Sequence, residues 1–493
     1  MNTKAKRAAA IFEARNFCEN LRFEIKREFI YEQKPDKKTT LFFVVALFSC
    51  KTIFAQNPAS NQTIAAKVDE YMNAAVKVNG FSGSILVARD GQPVISKGYG
   101  LANYELGVPN TPQTVFRLAS IAKPFTATAV MILQERGKLN VNDSVCKHLA
   151  DCPPVWQTVT IRHLLTHTSG IPPTFANLPE YRRTMSLPVT HQITLERLRN
   201  KPLEFAPGEK AVYSNSGYYL LGVIVERASG KSYEEFLQEN IFKPLGLTCT
   251  GYETNSRIIK NRAAGYAMQG GSRVNAAYID MSIPFAAGSL YSTVEDLLRW
   301  EQALGAEKIL SRKSLDEMYT PFKEVYPGIN YGYGWGIAKQ FDRQALVHKG
   351  DIDGFSNFIA RFPADRMTII VLGNNNSVNA VWIANDLAAI VFGAPYKIPE
   401  TRKKIALDAK TLEKFVGQYQ PPQGSVITVT FENGKLMRQV GVQPKAEMFA
   451  ESATDFFLEG NDLQISFVLD AQGRVTGQLL RRRDSEALAP KIR

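Results

Sequence analysis

Strand-forming text stands at both ends of one long stretch of this chain, with a helical, loop-rich interval between, and that arrangement narrows the fold more than any other feature. GSILVARDGQPVISKGYG (residues 83–100) is two apolar runs joined at Asp90-Gly91, a dipeptide suited to the positive φ angles of a two-residue hairpin. Far downstream, YGYGWGIA (331–338), ALVHKG (345–350), GFSNFIARF (354–362) and RMTIIVLGN (366–374) read as successive antiparallel strands, followed by a closing helix over 381–392. An amphipathic helix marked by Ile64, Val68, Met72 and Val76 precedes the first hairpin. Strands from both termini with helices between predict an α/β (α+β) domain: an antiparallel sheet flanked by helices, with a helical region from about 140 to 312 inserted.

Around 399–404 the composition turns charged and proline-bearing, as linkers do. Beyond it, KFVGQYQ, SVITVTFENGKLMRQV, LQISFVLD and GRVTGQLLRR alternate apolar and polar residues, with turns at Asn433-Gly434 and Gln472-Gly473. A small all-β domain is therefore expected over 401–493. It holds no histidine and no convincing nucleophile, so a packing or substrate-edge module is its default role.

At the other end, TTLFFVVALFSC (39–50) follows Lys37 and Lys38 and precedes KTIFAQ. This run is too short to span a bilayer as a helix, and its length suits the core of a signal peptide. The expected organisation is an extension over 1–36 that reads as a misassigned start, a signal peptide over 37–55 cleaved after Ala55, a main domain over 57–400 and the β domain over 401–493. Lipid attachment at Cys50 is the lesser reading, because Phe48 is bulky where a lipobox needs a small residue. Export, periplasmic or extracellular, makes disulfides possible. Cys146 and Cys152 flank KHLAD and are a candidate local staple that sequence leaves open; Cys249 is expected free and buried. With no C-x-x-C, no H-E-x-x-H and no clustered ligand set, neither a metal nor a cofactor is expected. The formal charge of +12 raises nucleic acid as a partner, but the basic residues are dispersed and no nucleic-acid motif accompanies them. Lys4, Lys6, Arg7 and the run from Arg481 to Arg483 read as solvated charge.

The chemistry-bearing stretch is FRLASIAKPFTATAVMILQERGKL (116–139). Phe125, Ala129, Ile132 and Leu133 recur at helical spacing and Gly137 gives a stop, so Ser120 falls near a helix N-terminus with Lys123 three residues on, along the same face. A lysine whose pKa is lowered by burial can take the proton that makes a serine hydroxyl nucleophilic. Taken alone, Ser120 reads equally as a helix cap. A second S-x-x-K, Ser144 to Lys147, sits in turn-like text, and Ser144 reads as a cap. Tyr213-Ser214-Asn215 precedes another helical run; a tyrosine of lowered pKa beside a lysine could shuttle a proton. The same spacing occurs at Tyr71-Met72-Asn73 inside an amphipathic helix, so it too is weak alone. His348-Lys349-Gly350 ends a predicted strand, where backbone N–H groups can complete an oxyanion hole and a glycine admits substrate closely.

In order and spacing, S-x-x-K, then Tyr-x-Asn, then a strand-borne His-Lys-Gly resembles the serine β-lactamase and penicillin-binding-protein superfamily, specifically its class C β-lactamase, D,D-peptidase and esterase branch. TIRHLLTHTSGIP (160–172), FAPGEKAVYSNSGYYLLG, IFKPLGLTCTGY, AAGSLYSTVEDLLRW and YGYGWGI look like stretches typical of that family. The resemblance implies a β-lactamase/transpeptidase-like fold. It further implies Ser120 as acylated nucleophile, Lys123 as base partner, Tyr213 as shared general base and acid, and Asn215 as a holder of substrate. By the same resemblance His348 borders the pocket, Gly350 gives close approach, and the N–H groups of Ser120 and Asp351 form the oxyanion hole. His163, His167, Trp300 and Trp335 match no catalytic position and are expected to be structural. Lys349 stands where the family usually carries Thr, Ser or Gly, and strand alternation is expected to point it away. With His348 in place of lysine, this favours an exported serine hydrolase acting on a D-amino-acid peptide or small ester. A β-lactamase, or a penicillin-binding or sensor protein with little turnover, are the alternatives. The expected partner is a small-molecule or peptide acyl substrate, not nucleic acid and not a membrane span; oligomeric state stays open.

Overall fold

A computed structural model describes residues 60–173, 178–269, 272–443, 445–458, 463–482 and 485–493. The N-terminal extension, the signal peptide with its cleavage at Ala55, Cys50 and Arg483 lie outside the described residues. Helix α1 (Asn61–Asn79) is started by Ser60, whose Oγ accepts from Thr63 N–H, and stopped by Gly80 in the left-handed region. Strands β1 (Gly83–Arg89) and β2 (Gln92–Tyr99) follow, joined at Asp90 and Gly91 with φ of 53° and 73°, the backbone a tight hairpin demands. Helices α2 (Ala122–Glu135) and α3 (Asn215–Ser229) belong to the long middle. The remaining strands of the main sheet are β3 (Lys323–Tyr326), β4 (Ile329–Tyr331), β5 (Gly336–Gln340), β6 (Arg343–Ile352), β7 (Phe355–Phe362) and β8 (Met367–Gly373), before helix α4 (Ala380–Phe392).

One antiparallel sheet runs β3-β4-β5-β6-β7-β8-β1-β2, so the first hairpin closes on the last strand, with Ile85 opposite Val371. Its strands alternate between two cores, as a pleat requires. Leu86, Leu346, Ile359 and Ile370 face the core shared with α2 and α3; Ile85, Val347, Phe358 and Val371 face the one shared with α1 and α4. Burial on both faces explains why these strands read as nearly unbroken apolar runs.

Three expectations need correction. YGYGWGIA is not one strand: β4 ends at Tyr331 and β5 begins at Gly336. Between them Gly334 has φ of 79° and lies so near α2 that a Cβ there would come within 2.9 Å of Ala127 Cβ. The middle interval, expected helical and loop-rich, also holds short strands: Gly251–Tyr252 and Leu290–Ser292 form a small antiparallel sheet with Phe116–Arg117, which precedes the interval. Strands this short have no periodicity to read. Cys249 is half-buried rather than buried; its backbone N–H is what turns inward, to Asp296 Oδ2 at 2.8 Å. The Cys146–Cys152 staple is formed, with Cα atoms 5.2 Å apart.

Beyond α4, eight strands from Gly417–Tyr419 to Ser485–Pro490 pair in sequence order. The first meets the chain end: Gln418 N–H donates to Arg493 O (2.8 Å) and Ile492 N–H to Gln418 O (2.8 Å). Joining the ends makes the meander barrel-like and leaves its edges paired. Phe415, Tyr419, Phe456 and Phe467 fill its core. Among the described residues, no helix is long and apolar enough to cross a membrane, and no group of three His, Cys, Asp or Glu could hold a metal ion.

Candidate active site

Ser120 owes its position to a sharp change of direction. Phe116–Arg117 pairs with Leu290–Ser292, Leu118 N–H donates to Leu290 O (2.8 Å), and Ala119 then takes φ of 50° before the short 3-10 turn Ala119–Ile121 runs into α2. A left-handed alanine costs about 1–2 kcal/mol and persists only where its surroundings impose it. Ala119 and Ile121 are buried, while Ser120 between them keeps access to solvent.

Strand β6 lies against this turn because residue 350 has no side chain. A Cβ on Gly350 would sit 2.2 Å from Leu118 O and 3.2 Å from Ile121 N. Asn357, fully buried on β7, fastens the two together. Its Nδ2 donates to Arg117 O (2.9 Å) and Gly350 O (3.2 Å), and its Oδ1 accepts from Gly373 N–H (3.3 Å). Sequence reading did not single out Asn357; a lone amide within the apolar text FSNFIARF was the available signal.

Lys123 is wholly buried, and its Nζ lies 3.0 Å from Ser120 Oγ, 2.8 Å from Asn215 Oδ1 and 2.9 Å from Ala287 O. Burial pushes its pKa well below the usual lysine range. The amide and carbonyl oxygens only accept, so in the uncharged amine they take its two N–H bonds. The remaining tetrahedral direction is a lone pair facing the Ser120 hydroxyl. The geometry therefore gives this serine a built-in proton acceptor. Ala287 closes a 3-10 turn (Phe285–Ala287) that α2 itself holds, through Thr126 Oγ1 donating to Ala286 O (2.7 Å).

Tyr213 is hydrogen-bonded to Ser120, and Lys123 Nζ stands 4.8 Å from the centre of its ring. Asn215 opens α3 behind the cap Ser214, whose Oγ accepts from Gly217 N–H (3.4 Å). The expectation of a lowered phenol pKa is corrected. Dense surroundings at the phenol oxygen push it up, and the bond to Ser120 offsets this only in part, although the ring keeps some surface exposed. Burial favours the uncharged form of Lys123 as well, which works against a stabilised phenolate. The resting pair is thus amine and phenol.

His348 borders this cluster, its ring centre 6.5 Å from that of Tyr213, but both of its nitrogens are engaged. Lys349 O, 2.8 Å from Nδ1, can only accept, so Nδ1 carries the proton and Nε2 accepts from Tyr331 Oη at 2.7 Å. Burial pushes its pKa down to about 3, so it offers the pocket no positive charge near neutrality. Lys349 sits on the opposite face of β6 from Gly350, half exposed and ion-paired with Asp351, which also accepts from Ser356 Oγ (2.9 Å). His163 caps its own helix, its Nδ1 accepting from Thr160 N–H. Trp300 stacks on Phe125, 3.9 Å between centres, and on Trp335 at 5.7 Å. His167 is not remote: its ring centre lies 4.3 Å from that of Tyr213.

Comparison with known proteins places this geometry among relatives. The family model described as Beta-lactamase matches residues 64–391, and one described as a domain of unknown function (DUF3471) matches 401–489. A penicillin-binding protein of Bacillus subtilis (strain 168) is 33% identical over 415 residues, spanning 79% of this chain and 90% of its own length. The octameric penicillin-binding protein homologue from Pyrococcus abyssi superposes with a TM-score of 0.62 at 27% identity, covering 86% of this chain and 99% of its own. D-amino acid amidase from Ochrobactrum anthropi SV3 gives a TM-score of 0.58 at 25% identity, covering 68% and 97%.

Proposed function

The chain belongs to the β-lactamase family and is a serine hydrolase, and on that premise we propose that Ser120 is its nucleophile, acylated and then freed by water. The observation that carries this reading is the buried Lys123 amine, its lone pair aimed at Ser120 Oγ from 3.0 Å. As Oγ bonds to the acyl carbon, its proton passes to Lys123 Nζ. The Tyr213 phenol gives its proton to the departing nitrogen or oxygen and recovers one from the Lys123 ammonium. In the second step water enters along the leaving-group path and gives a proton to this pair as its oxygen bonds to the acyl carbon; the acyl–Oγ bond then breaks and Oγ takes that proton back from the pair. Asn215 uses its Oδ1 on Lys123, which leaves its amide N–H groups to donate to a substrate carbonyl. The N–H groups of Ser120 and Asp351 serve the oxyanion, on the strand that Gly350 lets approach. His348 lines the pocket as a neutral wall.

The substrate class is a D-amino-acid peptide or amide, or a small ester. Lys349 points away from Ser120, so its side chain does not grip a terminal carboxylate; this favours neutral leaving groups over carboxypeptidase action or efficient β-lactam hydrolysis. A D-amino acid amidase among the structural neighbours supports the same class. Export is part of the proposal, motivated by the apolar run at 39–50 and consistent with a paired Cys146 and Cys152. A second reading, a penicillin-binding protein that acylates with little turnover, draws on the penicillin-binding relative.

Labelling with a fluorophosphonate and with a fluorescent penicillin, followed by mass mapping, tests the assignment. The adduct is expected on Ser120, and Ser120→Ala is expected to lower hydrolysis at least ~10³-fold. Undiminished activity in that variant would refute it. Steady turnover of an acyl substrate excludes the second reading, and a stable adduct without turnover selects it.

A further inference from the structure

His167 brackets the residue that carries the leaving-group proton. It follows the helix Ile161–Leu165, is 1% exposed, and takes φ of 58°, a backbone state that side chains with a Cβ seldom adopt. From that backbone it reaches both neighbours of Tyr213. Its carbonyl accepts from Val212 N–H (2.9 Å) and its Nδ1 accepts from Ser214 N–H (3.1 Å). The ring between these two bonds packs against Tyr213 and Tyr331, with centres 4.3 Å and 4.5 Å away.

We propose that His167 is a positioning residue for Tyr213: one side chain and its own carbonyl pin the peptide groups on either side, holding the phenol on Ser120. The inference rests on the reading of Tyr213 as proton donor. Only a neutral imidazole can accept at Nδ1, and the surroundings enforce that state. Burial disfavours the cation, and Lys123 and His348 face it alongside Tyr213, Tyr218 and Tyr331, with no carboxylate among these neighbours to stabilise a charge. Among the described residues its Nε2 is buried without a hydrogen-bond partner, so the bond to Ser214 is the only hydrogen bond they give to orient the ring. A histidine present only to fill space would be replaceable by any ring of similar size.

Two substitutions separate the ideas. His167→Phe keeps a ring and loses the acceptor; His167→Asn keeps an acceptor oxygen near the Nδ1 position, tolerates the left-handed backbone, and loses the ring. With an amide substrate, His167→Phe is expected to lower kcat by about 10 to 100-fold while KM stays within about threefold, and His167→Asn to remain within about fivefold of the parent. In a Tyr213→Phe background, the cost of His167→Phe should largely vanish. Full kcat in His167→Phe, equal losses in the two variants, or additivity with Tyr213→Phe would overturn the proposal. If His167→Phe fails to fold, His167→Asn against His167→Ala decides: about tenfold higher kcat with Asn supports the proposal, and equal values overturn it. Ser120→Ala run alongside reads the site assignment separately, since residual activity there would fault the nucleophile and not the clamp.

Discussion

Ser120 and Tyr213 share a hydrogen bond, yet burial keeps the phenol's proton in place, so what the tyrosine offers an incoming substrate is a proton to give. That role matters most for a poor leaving group. Replacing Tyr213 with Phe is expected to cost about 10²–10⁴-fold in kcat on an amide, and much less on an ester whose leaving group departs as a stable phenolate. Comparing kcat for such a pair checks this, and equal losses on both would count against donation. That Ser120, Lys123, Tyr213 and Asn215 would stand together was an expectation from the family resemblance of their ordered motifs, each of which was ambiguous by itself, and the fold does bring them together. His167 and Asn357 were not legible, because each acts through backbone groups far along the chain: Ser214 is 47 residues from His167, and Arg117 is 240 from Asn357. Lys349 could be read as turned outward from strand alternation alone, whereas the engagement of His348 Nε2 depended on Tyr331, which nothing local foretold.

Strands β1 and β6 to β8 announce themselves by unbroken apolar text, and the hairpins at Asp90-Gly91 and Asn433-Gly434 by turn chemistry that their positive φ angles bear out. What escaped were elements defined by contact rather than pattern. The two-residue strand Phe116–Arg117 delivers Ser120 and has no period to detect, and the glycine-broken crossing between β4 and β5 exists to fit α2. The tightest of these contacts is between β6 and the Ser120 turn. Gly350→Ala puts a methyl 2.2 Å from Leu118 O, which must drive the strand away from the nucleophile. The expected result is a loss of about 1–3 kcal/mol in unfolding free energy, as overpacking usually costs, and at least about a tenfold slower acylation of Ser120. Denaturant melts and fluorophosphonate labelling rates measure the two; an unchanged labelling rate would separate β6 from the site.

The base role proposed for Lys123 depends on the whole molecule. Lys123 draws its surroundings from α2, the start of α3 and the 3-10 turn at Ala287, three segments that meet only in the folded domain. In an unfolded chain its amine would be charged up to a pH of about 10.4, and in this pocket it is neutral well below that. Its lone pair is therefore available at lower pH than an ordinary lysine's and is lost as falling pH protonates the amine; His348, pushed down to about 3, is neutral well above that pH. The most direct measurement is the second-order rate of Ser120 acylation by a fluorophosphonate from pH about 5 to about 10, with the intact protein and with Lys123→Ala. The expected profile rises with pH to a plateau well below lysine's ordinary value, and in the variant that rise disappears along with most of the rate. An inflection near 10.4, or a profile that survives removal of Lys123, would contradict a buried amine as the base.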